Sequence, residues 1–228
     1  MYVLALATDY DGTLAEDCVV SPSTIEVLER FKETGRRLIM VTGRELPELI
    51  GIFPKTELFD RIVAENGALL YDPATRTETP LAASASPELF DALKARGVIP
   101  LSMGRCIIAT REPYQIAAFK EIRRLGLELE IIFNKGAVMV LPTGVNKATG
   151  LGVALDELRL SPHNVIGVGD AENDHAFLSF CGCSVSVANA LPALRDRTHL
   201  VMLHPRGRGV TELIDLIVSD GRHSLTGH

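Results

Sequence analysis

The chain has 228 residues, 46% hydrophobic and 23% charged, which is enough to bury a substantial core without disulfide or metal staples. A net charge of -6 argues against a sequence-independent grip on nucleic acid or an anionic membrane, and no apolar run approaches the roughly 20 residues of a membrane helix. Cys18, Cys106, Cys181 and Cys183 follow no disulfide framework, and the first residues lack a signal-peptide pattern, so the expected setting is the cytoplasm and the expected partner a small molecule.

In chain order, Val3 to Thr8 is almost wholly apolar and reads as a strand buried on both faces, running into Asp9-Tyr10-Asp11-Gly12-Thr13. In open α/β sheets ligands gather outside the carboxyl ends of such strands, so this acidic pair marks the mouth of an expected site. Two carboxylates about 4 Å apart repel by about 4 kcal/mol at an effective dielectric of about 20, which implies a cation or a shared proton. Ser21-Pro22 then starts a helix with Ile25, Leu28 and Phe31 along one face, and Gly35 stands just beyond its end. Arg37 to Val41 is a second strand ending at Thr42, a short helix opens at Pro47, and a third strand, Arg61 to Ala64, leads to Glu65-Asn66-Gly67. Strands alternating with helices imply right-handed crossovers and a doubly wound parallel sheet.

From Ala68 the rhythm changes. A hairpin is expected across Asp72-Pro73-Ala74-Thr75, then a helix over Pro87 to Arg96 and a strand over Arg105 to Thr110. A second helix is expected over Tyr114 to Leu125, with Ile116, Phe119 and Ile122 in phase, and a second hairpin across Asn134-Lys135-Gly136. The α/β pattern resumes with a helix from Lys147, a strand ending at Gly169-Asp170, a helix around Phe177, strands at Ser184 to Val187 and Leu200 to Leu203, and a helix near Val210 to Val218. The expected organisation is a core of residues 1–79 and 143–221, a small α+β cap of residues 80–142, and a flexible tail at 222–228, which leaves room for fusion to or association with another domain.

Four segments carry a resemblance: Asp9-Tyr10-Asp11-Gly12-Thr13, Val41-Thr42-Gly43-Arg44, Gly144-Val145-Asn146-Lys147 and Gly169-Asp170-Ala171-Glu172-Asn173-Asp174. In order and spacing they resemble the signature of the haloacid dehalogenase superfamily of phosphohydrolases, over nearly the whole chain. The resemblance is strongest to the subfamily with an α+β cap inserted between the second and third motifs, which includes Cof-type sugar phosphatases and archaeal phosphoglycolate phosphatases. Glu65-Asn66-Gly67-Ala68 also resembles a segment of that subfamily.

The resemblance implies a Rossmann-like core and a Mg²⁺-dependent phosphatase acting on a small phosphorylated metabolite. Asp9 would be the nucleophile and Asp11 the acid and base. Mg²⁺ would be held by Asp9, the main-chain carbonyl of Asp11 and Asp170, with Asp174 behind them, since an all-oxygen donor set suits a hard cation. Thr42, Gly43, Lys147 and Asn173 would hold the phosphate. By their own chemistry and place, Arg44 would either touch the substrate or fix its turn, and Glu65 and Asn66, at a strand end facing the site, would support substrate binding. Cap residues Arg105 and Lys135 could reach a second anionic group of a substrate, but each reads first as a solvated surface charge and stands outside the expected site. Two other readings stand beside this one: a phosphotransferase or mutase on the same fold, and a non-catalytic module that binds Mg²⁺ or phosphate within a larger protein.

Overall fold

The computed structural model describes residues 2–219; the expected tail at 222–228 lies outside the described residues. Strands β1 (Ala5–Thr8), β2 (Arg37–Val41) and β3 (Arg61–Ala64) alternate with helices α1 (Pro22–Glu33) and α2 (Leu46–Ile52). A hairpin follows, β4 (Leu69–Asp72) with β5 (Thr77–Pro80), and then the cap: α3 (Pro87–Ala95), β6 (Ser102–Met103), β7 (Ile108–Arg111), α4 (Gln115–Leu125), β8 (Leu129–Asn134) and β9 (Ala137–Pro142). The chain returns through α5 (Lys147–Leu158), β10 (Val165–Gly169), α6 (His175–Phe180), β11 (Cys183–Ser186), α7 (Pro192–Arg195), β12 (Leu200–Val201) and α8 (Arg206–Ser219).

The large sheet has the order β12-β11-β10-β1-β2-β3-β4-β5, parallel except for the β4 and β5 edge. Alternation along each strand divides its side chains between two apolar layers. Leu6, Leu38, Met40, Ile166 and Val168 pack with α1 and α8 on one face, while Ala5, Ala7, Ile39, Val41 and Val165 pack with α5 and α6 on the other. With both faces covered, the apolar runs of the sequence have their physical reason. From β1 the chain winds outward through β2 and β3, and in its second half outward through β10 to β12, so the strand order reverses between β1 and β10.

The cap sheet, β6-β7-β9-β8, is antiparallel. Ile108 and Val140 face α3 and α4, whereas Ile107, Met139 and Leu141 face Ala68 and Val145 of the core. Two expectations need correction here. The strand expected at Arg105 to Thr110 begins only at Ile108, because the N–H groups of Arg105 and Cys106 donate to the Glu65 carboxylate and not to a neighbouring strand. In α4, Ile116 and Phe119 are exposed; the inward face carries Ala118, Glu121 and Ile122, with Glu121 buried between Arg96 and Arg124. Pairing with the two arginines offsets the cost of burying that carboxylate.

Helix α5 carries Lys147 at its first turn and lies against the end of β3. A Cβ added at Gly150 would stand 2.7 Å from the Gly67 Cα and 2.8 Å from its carbonyl oxygen, so the close approach depends on a bare glycine. Helix propensity alone would make Gly150→Ala stabilising by about 1 kcal/mol. The clash is with backbone, so we expect instead a loss of about 1–3 kcal/mol in urea unfolding; a gain would mean that α5 is not seated on this turn.

Candidate active site

Asp9 follows β1 directly, and its N–H donates to the Val168 carbonyl at 3.0 Å. Because Thr8 pairs with Val168 in the β1 and β10 register, Asp9 and Asp170 leave the sheet side by side where the strand order reverses. Between them the chain turns at Gly12, whose φ is +79° and whose missing Cβ would stand 2.3 Å from Asp170 Oδ2. The Asp170 carboxylate therefore lies flat against the turn that follows Asp9, accepting from Thr13 Oγ1 at 3.1 Å and from Asn189 Nδ2 at 3.3 Å.

Asp174 closes the same loop on itself. Its Oδ2 accepts from the N–H of Asp170 at 2.8 Å and of Ala171 at 2.9 Å, leaving Oδ1 to face inward. Lys147 enters from the start of α5, where Asn146 caps the helix through the N–H groups of Ala148 and Thr149, and the Thr149 hydroxyl accepts the Asn146 N–H in return. Its fully buried ammonium donates to Asp9 Oδ1 and Asp174 Oδ1, each at 2.6 Å.

Oxygen atoms of Asp9, Asp170 and Asp174 lie within 4.8 Å of one another. Burial alone would lower the proton affinity of Lys147, but Asp174 and Asp9 outweigh it and hold the ammonium above the ordinary lysine range. Asp9 moves the same way: burial raises it well above the usual carboxylate range, Lys147 opposes, and Asp174 and Asp170 add to the rise. Asp170 is raised as well, by burial first, against Lys135. Burial is the largest cause for both acids, with neighbouring carboxylates adding to it, and the buried Lys147 ammonium pairs with two of the three carboxylates. An oxygen-only donor set in that condition fits a hard divalent cation.

The remaining expected site residues divide. Asp11 points away from this cluster: Arg44 Nε donates to its Oδ2 and Arg44 Nη2 to its Oδ1, both at 2.7 Å. Arg44 also pairs with Glu48, so both sides of its guanidinium are engaged by carboxylates. Thr42 is fully buried; its hydroxyl oxygen accepts the Arg44 N–H at 3.1 Å, leaving its own hydrogen to donate. Gly43 lies under the cap, where a Cβ would come within 3.1 Å of Met139 Sδ. Asn173 Nδ2 donates to Asn66 Oδ1 at 2.9 Å, while Asn173 Oδ1 and Asn66 Nδ2 are buried without a partner. Glu65 does not line the cavity; its two oxygens take the N–H groups of Arg105 at 2.9 Å and Cys106 at 2.7 Å and tie the cap to the core.

Between core and cap lies a cavity of about 520 Å³, with Asp9, Asp11 and Arg44 on its floor and Ala109, Ala137 and Met139 in its roof. That is within the usual range for small-molecule sites. Sequence reasoning missed two contributors. Asn189, which also donates to the Gly12 carbonyl at 2.8 Å, stands just past β11 at the same sheet edge as Asp9 and Asp170, a position the strand-end rule could have singled out. Lys135, read as a solvated charge, reaches across from the cap and pairs with Asp170 Oδ2. Arg105 matches its reading: exposed, and paired with Glu78.

With this geometry in view, likeness to known proteins becomes informative. The family model for haloacid dehalogenase-like hydrolases matches residues 6–110 and 99–214. Phosphoglycolate phosphatase 2 of Saccharolobus solfataricus is 29% identical, over 95% of this chain and 93% of the relative. A phosphoglycolate phosphatase of Haloarcula marismortui is 30% identical, over 92% of this chain and 95% of its own. Among solved structures, a haloacid dehalogenase-like hydrolase from Bacteroides thetaiotaomicron aligns with a TM-score of 0.79 at 19% identity, covering 94% of this chain and 99% of that one.

If Lys147 is the shared counter-ion of two buried acids, Lys147→Met leaves both unpaired and should lower the unfolding free energy by about 3–5 kcal/mol. Adding Asp174→Asn should then cost less than the sum of the two single changes, by more than about 1 kcal/mol. Urea unfolding of the three variants measures this; simple additivity would mean that the two residues act independently.

Proposed function

The chain belongs to the haloacid dehalogenase-like hydrolase family, a phosphatase enzyme by the relatives it matches, and from that premise we propose a Mg²⁺-dependent phosphatase that works through an aspartyl-phosphate. Its substrate is a small phosphorylated metabolite, of the phosphoglycolate or sugar phosphate type. The observation that carries this reading is Asp9, held at 2.6 Å by a fully buried lysine beside two further carboxylates at the floor of the cavity.

Asp9 attacks phosphorus, forming a bond from its carboxylate oxygen while the bond from phosphorus to the ester oxygen breaks. The departing oxygen takes a proton from Asp11. Water then attacks the aspartyl-phosphate and gives a proton back to Asp11, releasing inorganic phosphate and restoring Asp9. Lys147 neutralises part of the charge that would otherwise repel the phosphate, and the Thr42 hydroxyl and Asn173 supply further contacts. Mg²⁺ would be held by Asp9, Asp170 and the Asp11 main-chain carbonyl, with Asp174 behind, and when bound it supplies the remaining positive charge against the phosphoryl oxygens.

The phosphoglycolate phosphatase relatives favour a compact substrate. No helix among the described residues is long and apolar enough to cross a membrane. The proposed setting is the cytoplasm, where the four free cysteines would stay reduced.

A panel of phosphorylated metabolites assayed for inorganic phosphate with Mg²⁺ tests the proposal. Release should vanish with EDTA, and Asp9→Asn should lower kcat by at least about a thousandfold. Near-normal turnover in Asp9→Asn would contradict it, and a phosphorylated acceptor in place of free phosphate would point to transfer.

A further inference from the structure

Lys135 sits at the tip of the β8 and β9 hairpin, between the paired residues Asn134 and Ala137. Both turn residues have positive φ, +46° for Lys135 and +86° for Gly136. At the first of these positions asparagine or glycine is the easy choice, so a lysine stands there against local preference. The turn is fastened over the catalytic loop, because the Lys135 N–H donates to Glu172 Oε2 at 3.1 Å. From there the side chain crosses to the core and its ammonium pairs with Asp170 Oδ2, next to the residue proposed as nucleophile.

Charge on the cavity wall is otherwise committed. Of the cations lining it, Arg44 is forked on Asp11 and engaged by Glu48, and Arg206 pairs with Glu16. Among the described cap residues on the wall, the rest are apolar or neutral: Ser102, Ile107, Ala109, Asn134, Ala137 and Met139. A substrate with a second anionic group, entering a site already rich in carboxylates, therefore meets one adjustable positive charge on the cap. A divalent cation held by Asp170 would compete with the Lys135 ammonium for that carboxylate, and the ammonium, on its flexible stem, would then be free to turn into the cavity.

Resting on the phosphatase reading, we infer that Lys135 is the cap residue that selects the leaving group, by pairing with a carboxylate separated from the phosphate ester by a single carbon. The ammonium starts beside the phosphoryl site, so a short acid such as phosphoglycolate presents its carboxylate within reach. A sugar phosphate offers hydroxyls in that place and gains less from a full charge.

Calorimetry with Mg²⁺ and two non-hydrolysable probes tests the inference. In 3-phosphonopropionate a methylene replaces the ester oxygen of phosphoglycolate; ethylphosphonate lacks only the carboxylate. The wild-type protein should bind the former at least about tenfold more tightly, the usual worth of a charged hydrogen bond. Lys135→Asn, which suits the turn and removes the charge, should bring the preference to within about twofold, and Lys135→Arg should keep it. A preference that persists in Lys135→Asn, or is absent from the wild-type protein, overturns the inference. The two readings fail separately. If the preference depends on Lys135 but no phosphate is released from phosphoglycolate, the subsite stands and the catalytic reading falls; if Asp9-dependent turnover survives while the preference ignores Lys135, the reverse holds.

Discussion

Three carboxylates crowded into a buried space repel one another, and the local architecture around them is a means of supplying opposite charge. At about 4 Å, with an effective dielectric of about 20, each pair costs about 4 kcal/mol. Lys147 answers two of the three acids from the first turn of α5, a position fixed by the Asn146 cap and by the close seating of the helix on Gly67. Asp170 is met from the opposite side by Lys135, Thr13 and Asn189. Burial first, with the neighbouring carboxylates adding to it, leaves Asp9 and Asp170 with raised proton affinity. The sheet reversal between β1 and β10 brings the acids together, and the hard cation we propose would complete the balance.

The same logic links the cap to the core. Contacts across the boundary run largely through carboxylates: Glu65 takes two cap N–H groups, Glu172 takes the Lys135 N–H, and Asp170 takes the Lys135 ammonium. Around them lies an apolar seam of Ala68, Ile107, Met139 and Leu141. Glu65 is fully buried with a φ of +50°, a conformation L residues resist, and the two hydrogen bonds to its carboxylate explain why it is held there. The cap is thus fixed at the Glu65 end, while its hairpin tip rests on groups that a substrate or cation would also seek.

Much of this was legible in the sequence because local chemistry and global fold agree. The buried strands betray themselves as unbroken apolar runs, Ser21-Pro22 and Asn146 behave as helix starts, and the four motif segments all fall at strand ends or helix starts on one edge of the sheet. What was hidden depends on pairings between distant segments. Nothing near Arg105 announces that its N–H will serve Glu65, and although Arg124 stands one turn from Glu121, its second partner Arg96 comes from the end of α3, 25 residues away, so the β7 start and the inward face of α4 are not legible locally. Arg44 reads as touching the substrate or fixing its turn, but its partner Asp11 lies 33 residues away, and the fork geometry exists only once the fold is made. Lys135 stands outside the expected site for the same reason: in the sequence it is a charge in a turn that could face solvent or substrate, and only the packed cap brings it to Asp170.

The central claim, that Asp9 accepts the phosphoryl group, is tested most directly by trapping it. Protein mixed with ³²P-labelled substrate and Mg²⁺, quenched in acid within one turnover and digested, should carry label on the peptide containing Asp9 and lose it in Asp9→Asn. Label on another residue, or turnover with no labelled peptide at any quench time, would contradict the account.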